Sequence, residues 1–144
     1  MRTTLETETR EELAPRLRWA ITRMARRLRQ EAGTDLGPSQ VAALATIERH
    51  GPLSPSELAA LERIKRPTAT RILRHLEEAG LVERVRDPAD GRASILTATA
   101  EGRSLLRRLR ERKTAYLATR LDKLDAEDRR TLERAAELLE GMLE

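Results

Sequence analysis

RIKRPTATRILRHLEEAGLVERVRDPADGRASIL, residues 63–96, decides how the rest of the chain is read. At 100° per residue, Ala69, Ile72, Leu73 and Leu76 fall within about 100° of one another, which makes a buried helical stripe. Pro67, Thr70, Arg71, Arg74 and Glu78 fall on the opposite side. Five lysines or arginines (63, 65, 66, 71 and 74) and no acid stand between Arg63 and Leu76. Pro67 suits a first helical turn, and Gly80 suits a left-handed residue closing the helix after Ala79. The runs LVERVRD and RASILTAT then read as two short strands around the Pro-Ala-Asp-Gly turn at 88–91. A helix followed by strand, turn and strand is the pattern of a winged element.

Upstream, SPSE opens a short helix, with Ser54 and Glu57 at capping-box spacing, Pro55 in the first turn and Leu58 and Leu61 on its apolar side. An earlier helix starts at Pro38, turns Val41, Leu44 and Ile47 inward, and stops at His50-Gly51-Pro52. Leu13, Leu17, Ile21, Met24 and Leu28 form one stripe of a first helix, whose regular part is expected from Ala14 because Pro15 belongs in a first turn. Downstream, Leu105, Leu106, Leu109, Leu117, Leu121 and Leu124 mark a long helix over about 100–123. Asp125 caps a last one carrying Leu132, Ala135, Ala136, Leu139 and Leu143.

The expected fold is therefore mainly α with a small β-hairpin wing, a six-helix winged helix-turn-helix in a single domain spanning 1–144. Residues 36–99 are expected to form one lobe around the basic helix and the hairpin, and 10–35 and 100–144 to supply the remaining helices. The middle of the chain has its own small core, so the leucine stripes at the two ends need another surface. A second copy is the economical partner.

Composition agrees. Leucine (23) and alanine (20) dominate the apolar inventory, and Trp19 and Tyr116 are the only aromatic residues. Charged residues make up 36% of the chain, and arginine outnumbers lysine 25 to 3 while the net charge is only +4. Charge placement therefore matters more than the total. The absence of cysteine excludes disulfides, thiolate metal sites and thiol redox sensing by this chain. No apolar run approaches the roughly 18 residues of a membrane span, and the N-terminus lacks an apolar signal core, so no membrane partner is expected and the cytoplasm is the expected location. His50 and His75 alone make no metal site. No nucleophile turn, Gly-rich phosphate loop or dinucleotide fingerprint occurs, so neither an enzyme nor a cofactor is expected.

A helix entering a DNA major groove presents its N-terminal residues to base edges. Arg71 or Arg74 suits the O6/N7 pair of guanine, and Thr68 and Thr70 suit phosphate or a thymine methyl. Arg84 and Arg86 flank the first strand. Arg92, near the wing tip, suits a narrow minor groove, with Asp90 close enough to fix its rotamer. A solvated basic face and a plain Asp-Gly turn are the alternatives that these residues leave open.

SPSELAAL, RPTATRILRHLEEAGLVER and the DPADGR wing, followed by Thr99-x-x-Gly102, together resemble the MarR family of bacterial winged helix-turn-helix regulators, over about Leu13 to Leu143. Ala98 departs from the family's usual leucine before that threonine. The resemblance implies a homodimer joined through the first and last two helices. It would bind double-stranded DNA at a pseudo-palindromic operator as a transcriptional regulator, a repressor released by a small aromatic or drug-like ligand. Carried over by position, Lys65 and Arg66 lie at the start of the recognition helix, and Ser54 and Ser56 are phosphate contacts. Trp19, Arg23, Met24 and His50 are candidate effector linings, with ordinary packing or surface as the alternative. The rival reading is a helical interaction or ligand-binding dimer that does not bind DNA.

Overall fold

The computed structural model describes residues 8–91 and 94–144. Among these residues six helices and one hairpin follow in order: α1 (Arg10–Ala32), α2 (Pro38–His50), α3 (Pro55–Glu62), α4 (Arg66–Glu78), β1 (Val82–Arg86), β2 (Ser94–Ala98), α5 (Ala100–Leu121) and α6 (Ala126–Met142). The expected mainly helical winged fold is the one found.

Local chemistry sets the boundaries. Pro38 and Pro55 take first-turn positions in α2 and α3, and Pro67 does so in α4. Ser54 caps α3 by accepting from the Glu57 N–H at 3.1 Å, and Asp125 caps α6 by accepting from the Asp128 N–H at 2.8 Å. Gly33 and Gly80 adopt left-handed conformations just beyond α1 and α4.

Two expectations are corrected. α1 begins at Arg10 rather than near Ala14, and Pro15 lies inside it. The physical reason is a full capping box, in which Thr9 accepts from the Glu12 N–H and Glu12 accepts from the Thr9 N–H. That cap satisfies the early donors, and Pro15 forgoes only one hydrogen bond, to the carbonyl of Glu11. In α3, Leu58 is buried but Leu61 is exposed, and Ala59 takes the second inward position.

The core lies in the middle of the chain. Leu44 and Ile47 of α2, Leu58 of α3, Ile72, Leu73 and Leu76 of α4, Leu81, Val82, Leu96 and Leu106 pack into one buried cluster. The hairpin is antiparallel, with Val82 opposite Ala98 and Arg84 opposite Leu96. Leu53 adds a one-residue third strand, exchanging two backbone hydrogen bonds with Leu96 (3.1 and 2.7 Å). This bridge pins the connection between α2 and α3 to the wing.

The start of α5 is fastened to the base of the hairpin. Thr99 donates its N–H to the Leu81 carbonyl (3.0 Å) and its hydroxyl to the Gly80 carbonyl (2.7 Å), while its Oγ1 accepts from the Gly102 N–H (3.1 Å). A Cβ at Gly102 would stand 2.2 Å from the Leu81 carbonyl oxygen, so only glycine permits this approach. The Thr-x-x-Gly spacing thus has a packing role.

The terminal helices differ from the middle. Ala32 is the only buried residue of α1, and α6 has none. Leu13, Leu17, Ile21 and Met24 of α1, and Leu132, Leu138 and Met142 of α6, are exposed. No helix among the described residues is long and apolar enough to cross a membrane.

Candidate nucleic-acid interface

Two helices joined by the three-residue turn Arg63–Lys65 form a helix-turn-helix, α3 followed by α4. Arg63 holds a left-handed conformation (φ 54°, ψ 44°) as it ends α3, which lets the chain reverse. The wheel reading of α4 holds residue by residue. Ala69, Ile72, Leu73 and Leu76 are buried, whereas Pro67, Thr70, Arg71, Arg74 and Glu78 are exposed. Amphipathicity fixes the rotation of α4: four apolar residues anchor one face in the core, and the opposite cationic face must point outward.

Several expected residues meet there. Lys65 is the N-cap residue and makes no side-chain cap, so the first-turn N–H groups have no side-chain acceptor. A helix start of this kind favours an anion. Arg66, in the first turn, donates to the Ser56 hydroxyl of α3, which joins the two N-terminal ends of the motif. Thr70 donates its hydroxyl back to the Arg66 carbonyl at 3.0 Å, and Thr68 is half-buried. Ser54 is half-buried and occupied as the α3 cap. Arg71 and Arg74 are exposed one turn apart, and no described carboxylate pairs with either.

In the hairpin, Arg86 is exposed at the end of β1, and the turn is built by Asp87, whose Oδ1 accepts from the Ala89 N–H at 2.9 Å. Asp90 is exposed in that turn. Arg92 lies outside the described residues. One contact was not anticipated: Arg84 Nε donates to Glu77 Oε1 at 2.8 Å, tying β1 to the last turn of α4. Its sequence signal, an acid and an arginine seven residues apart, becomes meaningful only once Gly80 turns the chain between them.

The four residues expected around an effector do not converge. Arg23 stacks its guanidinium 4.9 Å from the Trp19 ring centroid, but Trp19 is 59% exposed. Trp19 also stands on the side of α1 opposite the Leu13–Leu17–Ile21–Leu28 stripe, a position that the wheel predicts. Met24 is exposed on that stripe, and His50 is exposed at the end of α2. A cleft of about 690 Å³ between α1, α2 and α5 is lined instead by residues that include Arg26, Arg29, Leu36, Val41, Leu109 and Lys113.

Further along α1 and α5, the Tyr116 hydroxyl accepts from Arg27 Nε (3.3 Å) and Arg120 Nε (3.2 Å). Burial pushes the phenol up, but these hydrogen bonds and the two positive charges outweigh it and hold Tyr116 below the ordinary tyrosine value. Among the described residues, no group of three His, Cys, Asp or Glu side chains is placed to hold a metal ion.

The sequence pattern of the MarR family matches residues 36–94, the stretch that holds the helix-turn-helix and most of the hairpin. An HTH-type transcriptional regulator of Mycobacterium tuberculosis is 32% identical over 92% of this chain and 93% of its own length. The chain belongs to the MarR family. Family membership makes it a winged helix-turn-helix transcriptional regulator, DNA-binding by class. Another HTH-type regulator, from Mycobacterium leprae, is 34% identical over 88% of this chain and 90% of its own. Among solved structures, a candidate transcriptional regulator from Pseudomonas aeruginosa superimposes with a TM-score of 0.85 at 34% identity, covering 96% of this chain and 99% of that one. A Staphylococcus aureus MepR variant bound to an oligodeoxyribonucleotide shares the fold, with a TM-score of 0.72 at 20% identity over 92% of this chain and 98% of that one.

Proposed function

We propose that this MarR-family regulator acts as a homodimer on a pseudo-palindromic operator, inserting α4 of each copy into successive major grooves and laying each hairpin against the flanking minor groove. The observation that carries this reading is the outward face of α4, with Lys65, Arg66, Thr70, Arg71 and Arg74 exposed over a fully apolar inner face. Arg71 and Arg74 read base edges, while Lys65, Arg66, Ser56 and the uncapped start of α4 hold phosphates. Thr68 and Ser54 assist from half-buried positions. Arg86, and Arg92 with Asp90, serve the wing. The MepR variant gives the same fold an oligodeoxyribonucleotide partner.

The apolar stripes left exposed on α1 and α6 support the dimer. α1 carries seven arginines against three glutamates, and α6 five acids against three arginines, so the two helices are complementary in charge as well as apolar along one side. In this arrangement 10–35 and 100–144 form the dimerising part and 36–99 the DNA-binding part. Related half-sites would lie about 34 Å apart.

Repression released by a small aromatic or drug-like effector completes the proposal. Such a ligand acts only if it prefers a dimer whose recognition helices are wrongly spaced. Trp19, Arg23, Met24 and His50 lie on the surface of the single chain and would line a site only together with a second copy.

The test is selection of a duplex from a randomised pool, followed by affinity measurements across a salt series. Specific binding that weakens steeply with salt is expected. Arg71→Ala should relax discrimination at one base pair by about 1–3 kcal/mol, whereas Lys65→Ala should weaken all duplexes alike. A dimer that selects no duplex would favour the rival reading of a partner-binding or ligand-binding protein.

A further inference from the structure

The two strands of the wing are held unequally. β2 is fixed by Leu96, fully buried and bridged through two backbone hydrogen bonds to Leu53. β1 is buried only at Val82, and Glu83 to Arg86 are all exposed. Beyond Val82, the side-chain hydrogen bond that ties β1 to the recognition helix among the described residues is the one from Arg84 Nε to Glu77 Oε1. The two-residue period of a strand puts Val82, Arg84 and Arg86 on one face, so Arg86 is carried wherever Arg84 is held.

We propose that Glu77 and Arg84 are a positioning pair that sets the angle between α4 and the wing, and with it the weight given to flanking DNA relative to the half-sites. The inference rests on the DNA-binding reading above. The side chains are 28% and 41% exposed, so the pair adds little to overall stability. Its effect is on where the outer half of β1 sits. Thr99 and Leu96 already fix the base of the hairpin, which leaves this angle as the degree of freedom that Glu77 constrains.

A simpler electrostatic role predicts the opposite sign. If Glu77 merely neutralised a phosphate-seeking cation, removing it would free Arg84 and tighten binding to every duplex. A positioning pair predicts a selective loss instead.

The experiment uses the full chain and the duplex that the wild-type protein selects from a randomised pool. A second duplex keeps the half-sites and scrambles the flanks. The readout is the ratio of the two dissociation constants for the wild type, Glu77→Gln and the double reversal Glu77→Arg with Arg84→Glu, supplemented by amide hydrogen exchange of Glu83 to Arg86 in the free protein. Glu77→Gln should lower the flank preference by about three- to fivefold, matching the upper range for a partly exposed pair, and should speed exchange in β1. The double reversal should restore both.

An unchanged ratio in Glu77→Gln overturns the proposal, whatever the exchange shows. So does a lowered ratio that the double reversal fails to recover. A wild-type protein that selects no duplex overturns the DNA-binding reading itself and the flank claim with it, which keeps the two failures distinguishable.

Discussion

The middle of the chain and its two ends are built on opposite principles. In residues 36–99 each amphipathic element turns its apolar face onto a neighbour, and six of the seven large side chains that are almost fully buried among the described residues stand in α2, α3, α4 and β2. In α1 and α6 the stripes are equally regular, yet the same kinds of side chain stay exposed. Periodicity therefore reports that a face is to be buried, but not by what. The middle finds its partner within the chain, whereas the ends present one.

The largest expected effect attacks the middle. Leu76→Ala, at a fully buried site in the common core, should cost about 2–5 kcal/mol in urea denaturation, whatever the protein concentration. Leu132→Glu attacks the ends. Leu132 is 46% exposed in the single chain, so the lobe should keep its fold, while the dimer dissociation constant rises at least about tenfold, or 1.4 kcal/mol, by light scattering on dilution. Equal losses in lobe stability from both substitutions would break the contrast.

Thr99→Ala probes the seam between the regions, where one residue caps α5 and holds the hairpin base. A loss of about 1–2 kcal/mol is expected, most of it recovered in Thr99→Ser. The smallest effect concerns Tyr116, which links α1 to α5. As the single tyrosine of the sequence, it can be followed alone by ultraviolet titration. Its midpoint should lie below the ordinary value of about 10 and rise in Arg120→Ala. Because the folded pKa is the lower one, the unfolded chain binds more protons in the interval between the two. This group's contribution therefore grows as pH rises from the folded value toward about 10, and it is lost as pH falls back through the folded value.

Much of the lobe was legible because its signals are local. The inward and outward sides of α4, the proline and glycine boundaries and the two strands all follow from spacing within a dozen residues. What escaped joins distant or consecutive elements. The Leu53–Leu96 bridge is one residue wide and has no periodicity. The Arg66–Ser56 and Arg84–Glu77 contacts depend on how turns fold back. The reach of α1 past Pro15 came from Thr9 and Glu12, a capping box outside the leucine stripe. Trp19 and Met24 stand close in sequence but on different sides of α1, so a single chain does not bring them together. The cleft lined by Arg26, Arg29 and Lys113 required α1 and α5 to be placed side by side.

The clasp at Thr99 has a mechanical consequence. It joins the short hairpin and the 22-residue α5 at one point, and α5 extends about 33 Å from there. The arrangement is a lever with a long arm reaching into the terminal helices and a short arm in the wing. A tilt of about 4° at the clasp sweeps the far end of α5 through about 2 Å, given that arm length. The proximal end, with Gly102 pressed against Leu81, has no slack to absorb the turn. Small rotations are thus geared directly from the far end of α5 to the base of the wing.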